Sequence, residues 1–109
     1  MLIERVGPTA IFTLSKEDLS APVPTLAALE REIKDECAQQ IVADLEIIES
    51  IYSLQIGTLV AMHVMCYENL AVMKLASVNN HVKNQLRLVG LDKLMEMHHG
   101  KQVAVESFK

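Results

Sequence analysis

The sequence predicts an α/β fold, a mixed sheet of about four to five strands with helices packed on it, in a single domain. Three observations carry this. Short apolar runs rich in β-branched residues alternate along the chain with longer runs of helical period, the order of a layered α/β unit with parallel pairs and right-handed crossovers. The chain has 109 residues, enough for one hydrophobic core and too few for two. Half of it is hydrophobic and 22% is charged, with only two Phe, two Tyr and no Trp, so aliphatic and Met side chains must fill the interior.

In chain order, Met1 to Val6 reads as a strand, and Gly7-Pro8 signals a turn before a second run, Thr9 to Leu14. These form an antiparallel opening pair. Ser15 to Asp18 reads as a polar loop, and Pro22 and Pro24 permit only the first turn of a helix. From Val23 to Cys37, Leu26, Leu29 and Ile33 recur at helical spacing between charged residues, an amphipathic helix with one face on a sheet. Gln40 to Leu45 is a buried strand, Ile47 to Tyr52 an irregular loop, and Leu54 to Asn69 a helix with Ser53 as its N-cap. On that helix Ile56, Leu59, Val60 and His63 define one stripe, while Met62, Met65 and Cys66 spread apolar character to other sides. A helix apolar nearly all round needs deep burial or a partner, and adaptable Met side chains suit a partner. Ala71 to Val78 is the next strand. His81 to Val89 is a helix with Val82, Leu86 and Val89 inward and Gly90 as its stop, Lys93 to Met97 a short strand or extended piece, and Lys101 to Phe108 a last helical turn or two.

The formal charge of −4 comes without a Lys/Arg cluster, which argues against nucleic acid as a partner. Residues 1 to 50 hold ten acids and four bases, and residues 51 to 109 four acids and six bases, so an acidic face is expected near the first long helix, as a solvated surface or an electrostatic docking patch. Cys37 and Cys66 have no paired spacing and no secretory signal before them, and are read as reduced thiols of a cytosolic protein. The uncharged run Ser50 to Tyr67 contains Ser53, Gln55, Gly57, Thr58 and His63, which fits a buried helix better than membrane insertion. His63 with Cys66, or Glu96 with His99, supplies two metal ligands but no third, so no metal or other cofactor is expected. No nucleophile, base and orienting acid can be assembled, and no Gly-rich phosphate loop is present, so the chain is read as having no catalytic residues and no enzymatic activity.

The stretch from Gln40 to Val60 holds the candidate site. Strand, loop and capped helix put the Ser53 hydroxyl at a helix's positive end, a position that tolerates a phosphate. Tyr52 and Thr58 are the other hydroxyls nearby and rank behind it.

Three segments resemble the STAS domain family, whose soluble single-domain members are bacterial anti-sigma factor antagonists. Ile41 to Leu45, then Ser53 and Gly57, resembles the family's strand, loop and helix with an Asp-Ser-Ser-Gly-Leu-Gly signature at the helix start. Asn80 to Leu94 is similar to the family's helix ending in a Gly-Leu-Asp-Lys-Leu box, here Gly90 to Leu94. Leu14 to Leu19 stands where a Gly-Glu-Leu-Asp loop is usual. At the signature Ser53 matches the phosphorylatable serine and Gly57 is kept, whereas Tyr52 replaces the Asp, Leu54 the second Ser and Gln55 the first Gly. In the early loop Glu17 is kept, Lys16 replaces the Gly and Leu19 takes the Asp position.

The resemblance implies a phosphorylation switch: the unmodified domain binds a serine kinase that doubles as an anti-sigma factor, phosphate on Ser53 breaks the contact, and a metal-dependent serine phosphatase is a further partner. A phosphoserine brings about −1.5 to −2 charge, beside Glu46 and Glu49 if the loop folds back. The partner surface is expected to comprise Glu17, Tyr52, Ser53, Leu54, Gln55, Ile56 and Met62. A homodimer is compatible with this reading. The alternatives are that Ser53 is a plain helix cap, and that the domain is an unphosphorylated scaffold docked on a transporter ATPase or a signalling complex.

Overall fold

A computed structural model describes all 109 residues. Gly7, at φ +60°, turns strand β1 (Leu2–Val6) back onto β2 (Thr9–Thr13), and the two pair antiparallel from Val6↔Thr9 to Leu2↔Thr13. Strands β3 (Gln40–Asp44), β4 (Val72–Ala76) and β5 (Met97–His98) then add in parallel, giving the sheet order β1-β2-β3-β4-β5. This mixed five-strand sheet is the one the alternation of runs predicts.

The register sorts side chains onto two faces. Ala10, Phe12, Ile41, Ala43, Met73 and Leu75 share one face and belong to a core of 21 buried residues that also takes Leu19, Leu29, Leu59 and Leu86 from the helices. The other face holds a much smaller cluster, in which Ile11, Val42 and Ala76 meet Ala104 and Val105 of α5 (Lys101–Glu106), with Phe108 packed beside it. Two polar attachments hold α5 there. Lys74 on β4, only 8% exposed, donates to Ser107 Oγ (2.9 Å), lies 4.2 Å from the centroid of the Phe108 ring and faces Glu96 at 3.5 Å. Lys101 bonds Glu4 of β1 at 3.0 Å, and that carboxylate raises the pKa of the exposed ammonium.

Several boundaries depart from the sequence reading. Ser15 to Asp18 is the start of a helix, not a loop. In α1 (Lys16–Ser20) Ser15 Oγ accepts from the Asp18 N–H (3.1 Å) and Asp18 Oδ2 accepts from the Ser15 N–H (2.9 Å), a reciprocal cap. Five residues with one buried Leu show no period, which hides such a helix. α2 (Pro22–Lys34) stops three residues before Cys37, whose φ of +58° cannot continue a helix. β4 is shorter than Ala71 to Val78, since Ser77 turns to φ +58°. α4 (Asn80–Leu88) is capped by Asn79 and ended by Gly90 at φ +81°, with Val82 and Leu86 fully buried, but Val89 lies at its end and is 56% exposed. The piece Lys93 to Met97, expected as a short strand or extended segment, begins at the end of a 3₁₀ turn, Leu91–Lys93, and reaches strand only at the two-residue β5.

The long helix α3 (Ser53–Glu68) shows the all-round apolar character resolved into sides. Its buried stripe is Gln55, Leu59, Met62 and Cys66, while Leu54, Val64 and Tyr67 are 57%, 45% and 76% exposed. Met62, expected at a partner surface, is wholly buried in the core, because it lies one helical turn beyond Thr58 and Leu59 on the sheet-facing side.

Two substitutions on α3 separate its faces. Leu59→Ala opens a cavity in the core and is expected to cost about 2–5 kcal/mol. Gly57 is exposed and a Cβ there meets nothing within 4 Å, so Gly57→Ala is expected to stabilise by about 0.5–1 kcal/mol. Urea unfolding of the two variants checks both signs.

Candidate functional site

The site is built where β3 delivers the chain to α3. Asp44 ends β3 with no exposed surface, and its Oδ1 accepts from the Glu46 N–H at 3.2 Å. Leu45 continues the sheet by donating to Ala76 O (2.9 Å), and Ile48 N–H closes a turn on Leu45 O (3.0 Å). Ile48 and Ile51 plug into the core while Ile47 is 60% exposed, so the loop is anchored at two points. α4 supplies the polar anchors. Gln85 Nε2 donates to Ile51 O (2.8 Å) and Gln85 Oε1 accepts from the Ile51 N–H (3.0 Å), a two-bond amide clamp, and Asn79 Nδ2 donates to Ile48 O (3.0 Å).

The first turn of α3 is held from the other side by α1. Gln55, 4% exposed, accepts from the Tyr52 N–H at 2.9 Å and donates to Ser20 Oγ at 3.1 Å. Thr58 Oγ1 donates to Leu19 O at 2.6 Å. Both polar residues are satisfied by these contacts, so Gln55 and Thr58 are framework and not contact surface.

The cap itself differs from the sequence reading. Tyr52, extended at φ −121° and ψ 174°, is the N-cap, and Ser53 is the first helical residue. The shift follows from Gln55: its side chain reaches back three residues to the Tyr52 amide, which sets Tyr52 as the residue outside the helix. Ser53 is therefore exposed, with its hydroxyl free of any capping bond. Tyr52 and Leu54 flank it at 59% and 57% exposure, and Lys16 Nζ stands 5.4 Å from the Tyr52 ring centroid. The N–H groups of Ser53, Leu54 and Gln55 have no acceptor within the chain, as expected of a first turn.

Of the residues expected to form a partner surface, the structure brings Tyr52, Ser53 and Leu54 together in the open, and Glu17 is exposed on α1, the helix packed against α3. Ile56 is half-buried against the core, and Gln55 and Met62 are buried. Glu46 shares a surface recess with Ser77, His99 and Lys101, and its field acts on Lys101. Lys16, Asn79 and Gln85 were outside the sequence reading of the site. A Gln three residues after Tyr52 was the one available signal for the true cap.

The described residues contain no group of three or more His, Cys, Asp and Glu placed to hold a metal. Cys66 is buried, which pushes its thiol up to about 12 and keeps it protonated, a poor metal ligand. No helix is long and apolar enough to cross a membrane.

No protein-family model matches the chain, and no curated protein matches it in sequence. Solved structures do. A chain from the stressosome, described as a signal integration and transduction hub, superposes with a TM-score of 0.85 at 17% identity, over 97% of this chain and 94% of the other. The protein TM1081 matches in its NMR structure (TM-score 0.78, 20% identity, 95% and 84% of the two chains). It matches again in a crystal structure described as a candidate anti-sigma factor antagonist from Thermotoga maritima (TM-score 0.75, 19% identity, 97% and 92%). The chain has a STAS-like fold.

Two measurements test this account of the site. Gln55→Ala leaves the Tyr52 amide and Ser20 without their partner and is expected to cost about 1–3 kcal/mol, whereas Ser53→Ala changes stability by less than about 0.5 kcal/mol. Cys37 is expected to react rapidly with a thiol reagent at about pH 8 and Cys66 only as fast as the chain opens. Because unfolding returns Cys66 from about 12 to 9.0, its contribution to stability is complete below pH 9.0 and falls as pH rises toward 12. Urea midpoints measured across that range give the sign.

Proposed function

We propose that this chain is a non-enzymatic regulatory binding protein of the anti-sigma factor antagonist type, working by partner switching in the cytoplasm under control of phosphorylation at Ser53. The observation that carries it is the exposed Ser53 hydroxyl at the first turn of α3, between the exposed Tyr52 and Leu54. The fold, shared with a stressosome chain and a candidate anti-sigma factor antagonist, supports the same reading.

The physics of the switch is local. An unmodified seryl side chain is small and neutral, so a partner can cover Tyr52, Leu54 and the helix start at little polar cost. Phosphate brings about −1.5 to −2 charge and three acceptor oxygens to the same spot. Within the domain that charge is tolerated, since the free N–H groups and dipole of α3 favour an anion. Against a partner's surface it must be desolvated, which weakens the complex. A serine kinase that doubles as the anti-sigma factor is the partner this arrangement fits, and a metal-dependent serine phosphatase would reset it.

The uncovered Leu54, Val64 and Tyr67 on α3, with Tyr52 in place of the signature Asp, favour a second reading: an unphosphorylated scaffold docked on a transporter ATPase or a signalling complex.

With the cognate serine kinase and ATP, one phosphate is expected on Ser53 by mass spectrometry, and none on Ser53→Ala. Ser53→Asp is expected to weaken kinase binding at least about tenfold by calorimetry, or about 1.4 kcal/mol. Binding of Ser53→Asp as tight as the unmodified chain sinks the switch, and a stable complex indifferent to ATP and phosphatase identifies the scaffold.

A further inference from the structure

Strand β4 is paired along its whole length with β3 but meets β5 only at Leu75 and Ala76. Parity decides what this leaves open. The Val72 N–H donates to Gln39 O on the β3 side (3.1 Å), while Leu75 and Ser77 donate to Glu96 O and His98 O on the β5 side (both 2.9 Å). Met73, like Leu75, therefore faces away from β3. Its N–H and C=O find no partner in the chain: a continued parallel ladder would pair them with Leu94 O and the Glu96 N–H, but Leu94 caps the 3₁₀ turn in the helical region (φ −95°, ψ −34°) and is not extended alongside β4. Met73 is only 3% exposed, so these groups lie at the floor of the edge and not on an open rim.

Met73 shares a recess with a residue that carries another unpartnered group. Met73 lines a recess of about 200 Å³ together with His63 and Tyr67 of α3, Val72 and Lys74 of β4, and Leu94 and Glu96 from the segment before β5. The Nδ1 of His63 is buried and has no hydrogen-bond partner. Tyr67, Val72 and Leu94, exposed by 76%, 53% and 55%, make the mouth apolar. An unpaired strand edge and an apolar rim thus meet at one slot, with His63 in its wall.

We infer that this slot is a β-augmentation site: it takes an extended segment of a partner protein, which pairs with the backbone of Met73 and sets one apolar side chain in the recess beside a flanking Lys or Arg. Main-chain hydrogen bonds give such a site its affinity and the pocket for alternate side chains its selectivity. Charge selects the basic flank. Glu96 is 63% exposed; its Oε1 meets Lys74 and His98, while Oε2 is uncommitted. The C-terminal end of α3 adds negative potential and has no basic residue in its last turn. Lys74 is already held by Ser107 and Phe108. A second copy of the chain fits poorly, since a two-fold contact would set recess against recess and keep the two Met73 backbones apart.

The slot goes beyond the proposed switch. Ser53 and His63 are ten residues apart on α3, about 15 Å along its axis, so a segment seated here leaves the Ser53 surface free for another partner.

The test uses the full ¹⁵N-labelled chain and the acetylated hexapeptide Lys-Thr-Val-Leu-Val-Thr, with the same peptide N-methylated at alternate amides as control. Saturable shifts are expected at the amides of His63, Met73 and Leu94, with the Ser53 amide unmoved. N-methylation is expected to weaken binding at least about tenfold, as loss of paired backbone bonds should. Leu94→Lys, an exposed change that leaves the fold intact by thermal melting, is expected to do the same. Three results overturn the inference: no saturable shift at Met73 up to about 2 mM peptide, equal affinity of the N-methylated peptide, or a dimer in sedimentation that Leu94→Lys dissolves, which would assign the edge to a second copy. None of these outcomes depends on phosphorylation of Ser53.

Discussion

Everything at the candidate site depends on one buried amide. Gln55 lies under the first turn of α3, where an unpaired polar side chain would cost stability, and its two ends are satisfied by the Tyr52 N–H and Ser20 Oγ. The first contact defines where the helix begins. The second ties that beginning to α1, and Thr58 to Leu19 O repeats the tie one turn on. With Gln85 and Asn79 gripping the preceding loop from α4, the chain between β3 and α3 has a single course. Ser53 is left outside this network, which is why its hydroxyl is free for chemistry that the fold does not need.

Gln55 thus has a structural meaning. A residue with no side-chain acceptor at that place would leave the helix start to be fixed by other means, whereas here the Gln55 side chain performs the capping. Tyr52 is correspondingly released to the surface, where its ring meets Lys16. The site presents the Ser53 hydroxyl within an aromatic and apolar rim. A contact made by this rim draws more on buried apolar area and less on charge.

The sheet's two faces divide the molecule's tasks. One face carries a broad core under α1 to α4, and the other only the short α5, held by Ala104, Val105 and a buried lysine. Lys74 is accommodated because its ammonium finds a hydroxyl, an aromatic face and a carboxylate together. The same strand leaves Met73 unpaired where β5 is too short to reach. The edge and the helix start lie at opposite ends of α3, so one helix presents two chemically different surfaces.

Much of this was legible in the residues. The strands at Ile3, Phe12, Ile41 and Leu75, the helices around Leu29, Leu59 and Leu86 and the stop at Gly90 follow from local period, turn chemistry and the segments quoted for the family resemblance, because each depends on a few neighbouring residues. The short helix α1, the two-residue β5, the inward turn of Met62 and the cap at Tyr52 were not. Period cannot show in five residues, and an all-apolar helix carries no mark of which side meets the sheet. The order and alternation of elements are written in the residues alone, since propensity and patterning act locally. Which polar groups end up paired, as in Gln55, and which are left over, as in Met73, was decided only by the tertiary structure, since hydrogen-bond partners distant in sequence meet only once the layers have packed.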